Sequence, residues 1–354
     1  MSIVINGSGT VTGLSVGGLP DGTVDSGTIA TGTIVDADVA NVAASKLTGA
    51  LPAISGASLT NLPSKGKNLI INGDMRVQQR GTASVTSGYF VDRFQLSGCS
   101  ASAVLTSSTP TEFPTAISVS ATSGNPIVIQ KIESENCQHL SGQTVTASFY
   151  AKNISNATTL YAKLSYAGSA DSWGSSTTIS EQNLGALSGS WVKYTASWTV
   201  PSGGLNGLSL NILCAGTSTF TMGVTGVQLE VGSTATDFEH RSYGEELALC
   251  QRYFINIHTN IPFAGFANNA NTQFGVALPV PLRGSPTASI SAGNKTTWRH
   301  NGSQNSTATA VTTASWGADR NIIGLQVAGF SSNTDGNAVN FGTGQGVLSL
   351  DSEL

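Results

Sequence analysis

Strict two-residue alternation is the feature that most constrains this chain. In Thr144 to Lys152, Val145, Ala147, Phe149 and Ala151 fall on one side, and Thr144, Thr146, Ser148, Tyr150 and Lys152 on the other. Trp191 to Val200 repeats the pattern, with Val192, Tyr194, Ala196, Trp198 and Val200 opposite Lys193, Thr195, Ser197 and Thr199. A period of two sends successive side chains to opposite faces of a strand, so each segment reads as a strand with one face on a core. Leu160 to Tyr166, Leu208 to Cys214 and Phe220 to Val231 read the same way. Turn clusters rich in Gly, Ser and Thr separate them, and the expected result is two antiparallel sheets packed face to face.

Charge narrows the function classes. Only 10% of the 354 residues are charged, against ~25% in typical soluble proteins, and the formal net charge is −4. There is no basic surface to attract a phosphate backbone, which argues against nucleic acid as a partner. The N-terminus shows no basic region followed by an apolar run, and no stretch approaches the ~20 apolar residues of a membrane helix. Synthesis in a cytoplasm and no membrane insertion are expected. The cysteines, Cys99, Cys137, Cys214 and Cys250, have no CxxC spacing and read as free thiols.

Residues 1–67 are different in kind, because they contain no Phe, Tyr or Trp. Single aliphatics are spaced by small residues, as in Gly22-Thr23-Val24, Gly27-Thr28-Ile29 and Gly32-Thr33-Ile34. The stretch from Asp36 to Gly49 could place Val39, Val42 and Leu47 on a short helical stripe. Such a segment cannot bury a core alone; it is either disordered or a parallel trimeric stem in which each aliphatic meets its copies on the axis. The steady supply of Val, Ile and Leu favours the stem. Gly13-Leu14-Ser15-Val16-Gly17 matches a nucleophile elbow, but no histidine precedes His139 and no long helix follows, so it reads as a chance match.

Asn68 to Met75, NLIINGDM, is the first segment with core character and reads as the strand that opens the globular part. Ser242-Tyr243-Gly244-Glu245 is a capping-box pattern that starts a short helix, with Leu247, Cys250 and Phe254 on one face and Glu245, Glu246 and Arg252 on its surface. Further short strands are expected at Thr272 to Pro279, Thr287 to Ser291, Ala308 to Thr313, Asn321 to Ala328 and Val347 to Leu350. Arg283 reads as a residue that fixes a turn or pairs between subunits. Trp298, Arg299 and His300 on one expected loop, with Trp316 on another, form a candidate recognition surface. Trp173, in the loop-like GSADSWGSS, is a second candidate, and Trp191 and Tyr161 are weaker ones.

Three segments in order, NLIINGDM, GSWVKYTASWTVP (Gly189 to Pro201) and GVQLEVGSTATDFEHR (Gly226 to Arg241), resemble the carbohydrate-binding-module-type jelly rolls of tail fibres of tailed bacteriophages. ALPAISGASLTNLP (Ala50 to Pro63), GEELALCQRYF and ALPVPLRGSPTASI (Ala277 to Ile290) resemble the stem, connector and small C-terminal β-domain of such proteins. The resemblance implies an all-β chain. Its parts would be a trimeric stem and tail-attachment segment (1–67), a jelly-roll sandwich (68–241), a connecting helix (242–254) and a C-terminal β-domain (255–354). It implies a virion tail fibre that is a homotrimer, held by tail or baseplate proteins through its N-terminus, and that binds a host surface glycan or envelope receptor without cleaving it. Exposed aromatic rings would stack on the sugar, and Asp74 or Glu230 could ligate a structural Ca²⁺ of the kind related modules hold, though no cofactor or metal is assigned. A structural fibre adaptor is the alternative. A glycan depolymerase is disfavoured, since the acidic residues are dispersed, Glu133 and Glu135 read as solvated neighbours on one strand face, and four histidines form no catalytic spacing.

Overall fold

A computed structural model describes residues 66–258, 263–268, 271–290, 295–299, 304–307, 310–316, 322–328, 338–343 and 347–354, with two short strands near the N-terminus. The chain divides into two units, Met1–Leu62 and Pro63–Leu354. In the first, β1 (Val4–Ile5) pairs antiparallel with β2 (Val11–Thr12). The five-residue repeat, the stripe expected over 36–49 and the segment 50–63 lie outside the described residues.

The second unit begins with β3 (Gly88–Tyr89), β4 (Gln95–Ser97), β5 (Ala101–Leu105), β6 (Ala116–Ala121) and β7 (Ile127–Ile132). After the short α1 (Ser134–Cys137) come β8 (Thr144–Ser169), β9 (Ser172–Ala186), β10 (Val192–Thr199) and β11 (Leu208–Val231). The alternating segments are all strands, but four of them are fused in pairs: 144–152 and 160–166 are two halves of β8, and 208–214 and 220–231 two halves of β11. The two long strands pair with each other within one curled nine-stranded sheet. The first half of β8 also pairs with β10 and its second half with β9, while the first half of β11 also pairs with β7 and its second half with β6; β5 extends the sheet from β6, and β4 and β3 extend it from β7. The two halves of β11 meet where the β8–β11 register slips, at Ala215/Gly216 and Gly216/Thr221. An irregular ladder bends a strand, and a Cβ on Gly216 would lie 2.3 Å from the Phe220 ring.

Both halves turn their apolar residues inward. Val145, Ala147, Phe149 and Trp198 from one half of the sheet and Leu160, Leu164, Leu210 and Ile212 from the other belong to a single buried cluster. Trp198 is 3% exposed, and its indole Nε1 donates to the Ser180 carbonyl at 3.2 Å. The thiols of Cys137, Cys214 and Cys250 are buried and that of Cys99 half-buried, all free. Desolvation pushes the Cys137 and Cys214 thiols up to about 12, so they act as small apolar groups.

NLIINGDM is a turn-rich plug rather than the expected strand. Its asparagines explain why. Asn68 Oδ1 accepts from the Ile70 and Leu229 amides at 2.9 and 3.0 Å, giving the backbone an alternative to a ladder. Asn72, with φ 60°, donates to the Val77 and Asp92 carbonyls and accepts from the Val77 amide. Arg241 closes the plug, donating to the Asn68 and Ile70 carbonyls and pairing with Glu239 and Glu246. Glu239 also accepts from the Gly66 and Asn68 amides, and Glu246 from the Asn72 amide. The opening and closing segments of the sandwich are thereby locked together.

The helix α2 (Tyr243–Gln251) carries the expected capping box on Ser242 and Glu245. Its buried residues are Glu246 and Cys250, and Phe254 already belongs to the next strand. Glu246 is thus a core carboxylate committed to Arg241, not a surface helix residue. Glu133 departs from expectation in the same way: it is 2% exposed and pairs with Arg252 at 2.9 Å and with Arg283 at 3.8 Å, whereas Glu135 is exposed in α1. Arg283 also donates to the Ser352 and Glu353 carbonyls, fixing the last residues of the chain.

Two further sheets follow. β12 (Phe254–His258), β15 (Thr287–Ile290) and β21 (Val347–Asp351) form one, with β21 central. The other has seven strands: β13 (Phe263–Asn268), β14 (Asn271–Ala277), β16 (Lys295–Arg299), β17 (Gln304–Thr307), β18 (Ala310–Trp316), β19 (Ile322–Ala328) and β20 (Ala338–Thr343). A second core joins Ile255, Phe274, Val276, Leu325, Leu348 and Leu350. After β21 the chain returns to the sandwich. Glu353 pairs with Arg80 and Arg93, and the Leu354 carbonyl accepts from Tyr89 and Lys131.

Candidate ligand-binding site

Polar residues of the alternating strands line the outer face of the β10-β8-β11 sheet. Ser148 and Tyr150 project there from β8, and Lys193 of β10 is the direct cross-strand partner of Tyr150. Two loops cover part of this face. The first is a turn closed by the Phe113 amide on the Pro110 carbonyl at 2.9 Å and by Thr109 Oγ1 on the Phe113 carbonyl at 2.7 Å. It lays the buried Phe113 ring over β11. The second is the return after β11, held by Glu230, which accepts from the Thr236 amide at 2.8 Å, Thr236 Oγ1 at 2.7 Å and Gln228 Nε2 at 2.8 Å.

The loops meet in an aromatic cluster. The Phe113 ring centroid is 5.3 Å from Tyr150, 5.0 Å from Phe238 and 5.8 Å from His240. Gly226 makes this possible: it has φ +62°, and a Cβ there would sit 2.5 Å from the Phe113 ring. Gly226→Ala is expected to lose about 2–4 kcal/mol, from left-handed strain together with displacement of a packed ring. Denaturant unfolding at constant m-value would measure it.

Beside the cluster lies a groove of about 270 Å³, lined by Glu112, Ser148, Tyr150, Lys193, Asp237 and Phe238, with Gly226 and His240 completing it. This is just under the ~300 Å³ lower end usual for small-molecule sites. Lys193 Nζ donates to the Thr236 carbonyl at 2.8 Å. Among the described residues no hydrogen bond engages the Tyr150 hydroxyl, and neither a hydrogen bond nor an ion pair engages the Glu112 and Asp237 carboxylates. Burial raises the Tyr150 phenol above its ordinary value, and the charges of Glu112 and Asp237 add to the shift. The groove therefore offers an aromatic face and hydroxyl, two carboxylates and an ammonium, a set suited to a hydroxylated ring.

A larger space, about 900 Å³, lies where residues 66–67 and 237–241 meet α2 and Val280-Pro281. Most of its charged groups are already committed: Glu239 to Arg241 and to the Gly66 and Asn68 amides, Glu245 to Ser242, and Arg252 to Glu133. Lys67 is held by Thr236 and the Asp237 carbonyl, and the Asp237 carboxylate, which this space shares with the groove, is its one unengaged carboxylate among the described residues, so size alone does not make it the site.

The residues singled out from sequence fall elsewhere. Trp173 is on β9, directly after a tight turn at Asp171, rather than in a loop. Its ring centroid is 5.4 Å from Lys131 Nζ, beside the returning C-terminal residues. Trp298 and Arg299 lie on β16 and Trp316 ends β18, so these are strand positions, and His300 lies outside the described residues. In the sheet order β16 and β18 are separated by β20, β13, β14 and β19. β17, the partner of β16, leads into β18 with only residues 308–309 between them, so strand order by itself neither joins nor separates the two tryptophans. Trp191 packs its ring on Gly223 and donates Nε1 to the Ser108 carbonyl at 2.6 Å. Tyr161 is half-buried opposite Asn183 of β9, in the other half of the sheet. Glu230 accepts from three donors, and Asp74 Oδ2 pairs with Arg76 at 2.9 Å while its buried Oδ1 has no hydrogen-bond partner. Among the described residues no three His, Cys, Asp or Glu side chains converge as a metal site.

One sequence signal did mark the groove. Tyr150 is an aromatic ring on the polar face of an otherwise regular alternation. Phe238 and His240 sit in the closing DFEHR motif, where only the folded return brings them over that face.

The described part of this chain is an all-β, jelly-roll-like fold. No family model matches the sequence, and no curated protein matches it. Solved structures with similar strand arrangements include the Bacteriophage CBA120 tailspike protein 4 enzymatically active domain, at 16% identity and a TM-score of 0.34. That likeness covers 47% of this chain but only 22% of the tailspike domain. TmCBM61 in complex with β-1,4-galactotriose is similar over 47% of this chain and 100% of its own, at 12% identity and a TM-score of 0.34. A C-terminal family 22 carbohydrate binding module of Clostridium thermocellum is similar over 49% of this chain and 100% of its own, at 16% identity and a TM-score of 0.33. Likeness at this level says nothing about a ligand.

Proposed function

We propose that this chain is a non-catalytic glycan-binding protein of a phage tail fibre, and that it holds a host surface glycan in the groove over Tyr150. One observation carries the glycan reading: a ring face and a set of unengaged hydroxyl and carboxylate groups converge on a cavity of sugar-like polarity. The virion, homotrimer and tail-attachment parts of the proposal rest on the sequence resemblance and on the aromatic-free N-terminal stretch, which needs partner copies to bury its aliphatics. Three copies would turn weak individual sites into firm adsorption.

Binding without cleavage fits the groove. A glycosidase needs one carboxyl kept protonated by a burying environment opposite a second carboxylate. Glu112 and Asp237 are both exposed to solvent. Release of reducing ends from host polysaccharide by the purified protein would overturn this part.

Adsorption assays locate the site. Tyr150→Ala is expected to weaken oligosaccharide binding at least tenfold (about 1.4 kcal/mol), in line with the ~1–3 kcal/mol of a lost stacking platform. Its melting temperature should stay close to that of the parent protein, because the ring lies outside the core. Trp298→Ala and Trp316→Ala should leave adsorption to host cells unchanged. The opposite pattern would move receptor binding to the C-terminal sheet.

A further inference from the structure

Resting on the reading of the groove as a glycan site, we propose that it selects sugars bearing a free, protonated amine over their N-acetylated and uronic-acid counterparts. Two exposed carboxylates, Glu112 and Asp237, stand at its rim, and no cation among the described residues pairs with either. Both act electrostatically on the Tyr150 phenol, which places their field at the ring on which a sugar would lie. The two neighbouring ammonium groups are turned to other partners, Lys193 to the Thr236 carbonyl at 2.8 Å and Lys67 to the Asp237 carbonyl at 2.7 Å and to Thr236 Oγ1. At the floor, Ser148 is 2% exposed, and among the described residues its hydroxyl has no hydrogen-bond partner although it borders the cavity. A hydroxyl of a buried residue that borders the cavity without a protein partner is a position a ligand polar group would satisfy.

These features favour one charge sign. A hexosamine over Tyr150 would bring its ammonium toward the aromatic face and the two carboxylates, gaining both cation–π and ion-pair attraction. N-acetylation removes the charge. A uronate would set a third carboxylate against the first two.

The full chain titrated at low salt and mildly acidic pH with glucosamine oligomers, the same oligomers N-acetylated, and oligogalacturonate tests this. The free-amine form is expected to bind about five- to tenfold tighter than the N-acetylated form, as two exposed ion pairs would give, and oligogalacturonate weakest. The ratio should fall toward one at high salt and in the double variant Glu112→Gln, Asp237→Asn. Equal affinities, a preference for the N-acetylated or uronic form, or an amine preference that survives in the double variant would overturn the inference while leaving the groove a glycan site. If no oligosaccharide binds at all, the reading of the groove fails and the inference goes with it.

Discussion

Replacing Arg241 by Ala should destabilise the protein by about 3–5 kcal/mol, the range for removing one partner of a buried ion pair. Arg241 is the common partner of Glu239, Glu246 and two carbonyls of the opening plug. Without it, Glu246, whose side chain is 4% exposed, keeps only the Asn72 amide. The loss should depend on pH in a definite direction. Burial already raises the Glu246 carboxyl above its ordinary value in the folded protein, and loss of Arg241 would raise it further. A raised carboxyl favours the folded state most below its unfolded value, near 4.5, and that contribution is lost as pH rises through the folded value. The variant should therefore lie closest to the parent near pH 4 and fall behind toward neutrality. Urea unfolding across that range, with Glu246→Gln in the same background as the partial rescue, measures it. A pH-independent difference would show that Arg241 acts by packing alone.

The second large effect is expected at the other end of the sandwich. Glu353→Ala should also lose about 3–5 kcal/mol, because it strands Arg93, whose side chain is 1% exposed. Arg93 would keep the Lys131 carbonyl at 2.6 Å and the face of Tyr253, 3.5 Å from its guanidinium carbon, but no countercharge of that quality. Arg80 loses less, since it retains Asp351 at 2.9 Å and lies over the Phe254 ring. The double variant Arg93→Met, Glu353→Leu should be less destabilised than Glu353→Ala alone, for it removes both charges together. A double variant as unstable as the single one would mean that the packing of the arginine stem, and not its charge, is the larger contribution.

The strands were legible because alternation is local. Val145, Ala147, Phe149 and Trp198 face the core as the pattern requires. Fusion of those strands into β8 and β11 was not legible, since it depends on which strands each half pairs with. NLIINGDM was misread for a related reason. Its aliphatics suggest a strand, but Asn68 and Asn72 bind backbone groups as far away as Leu229 and Asp92. The charged residues misled most. Glu133 and Glu246 look like solvent-facing carboxylates until Arg252 and Arg241, more than a hundred residues away for Glu133, are folded against them. For the candidate site residues, the expected loop placement of Trp173 and Trp298 did not hold, since both are on strands. The ring that borders the groove, Tyr150, lies on the polar side of a strand, where alternation alone gives it no structural task.

The pairing of β12 with β21 has an evolutionary consequence. Phe254 lies opposite Asp351, so the chain leaves for the C-terminal sheets and comes back at adjacent points. The segment between starts and ends in the three-stranded sheet of β12, β21 and β15, whose base is fixed by Arg80, Arg93, Arg252 and Arg283. Recombination that kept this three-stranded sheet could replace the part between β15 and β21 by one of different length. The sandwich and its groove would be inherited unchanged while that part diversifies, so one lineage could vary two surfaces at independent rates.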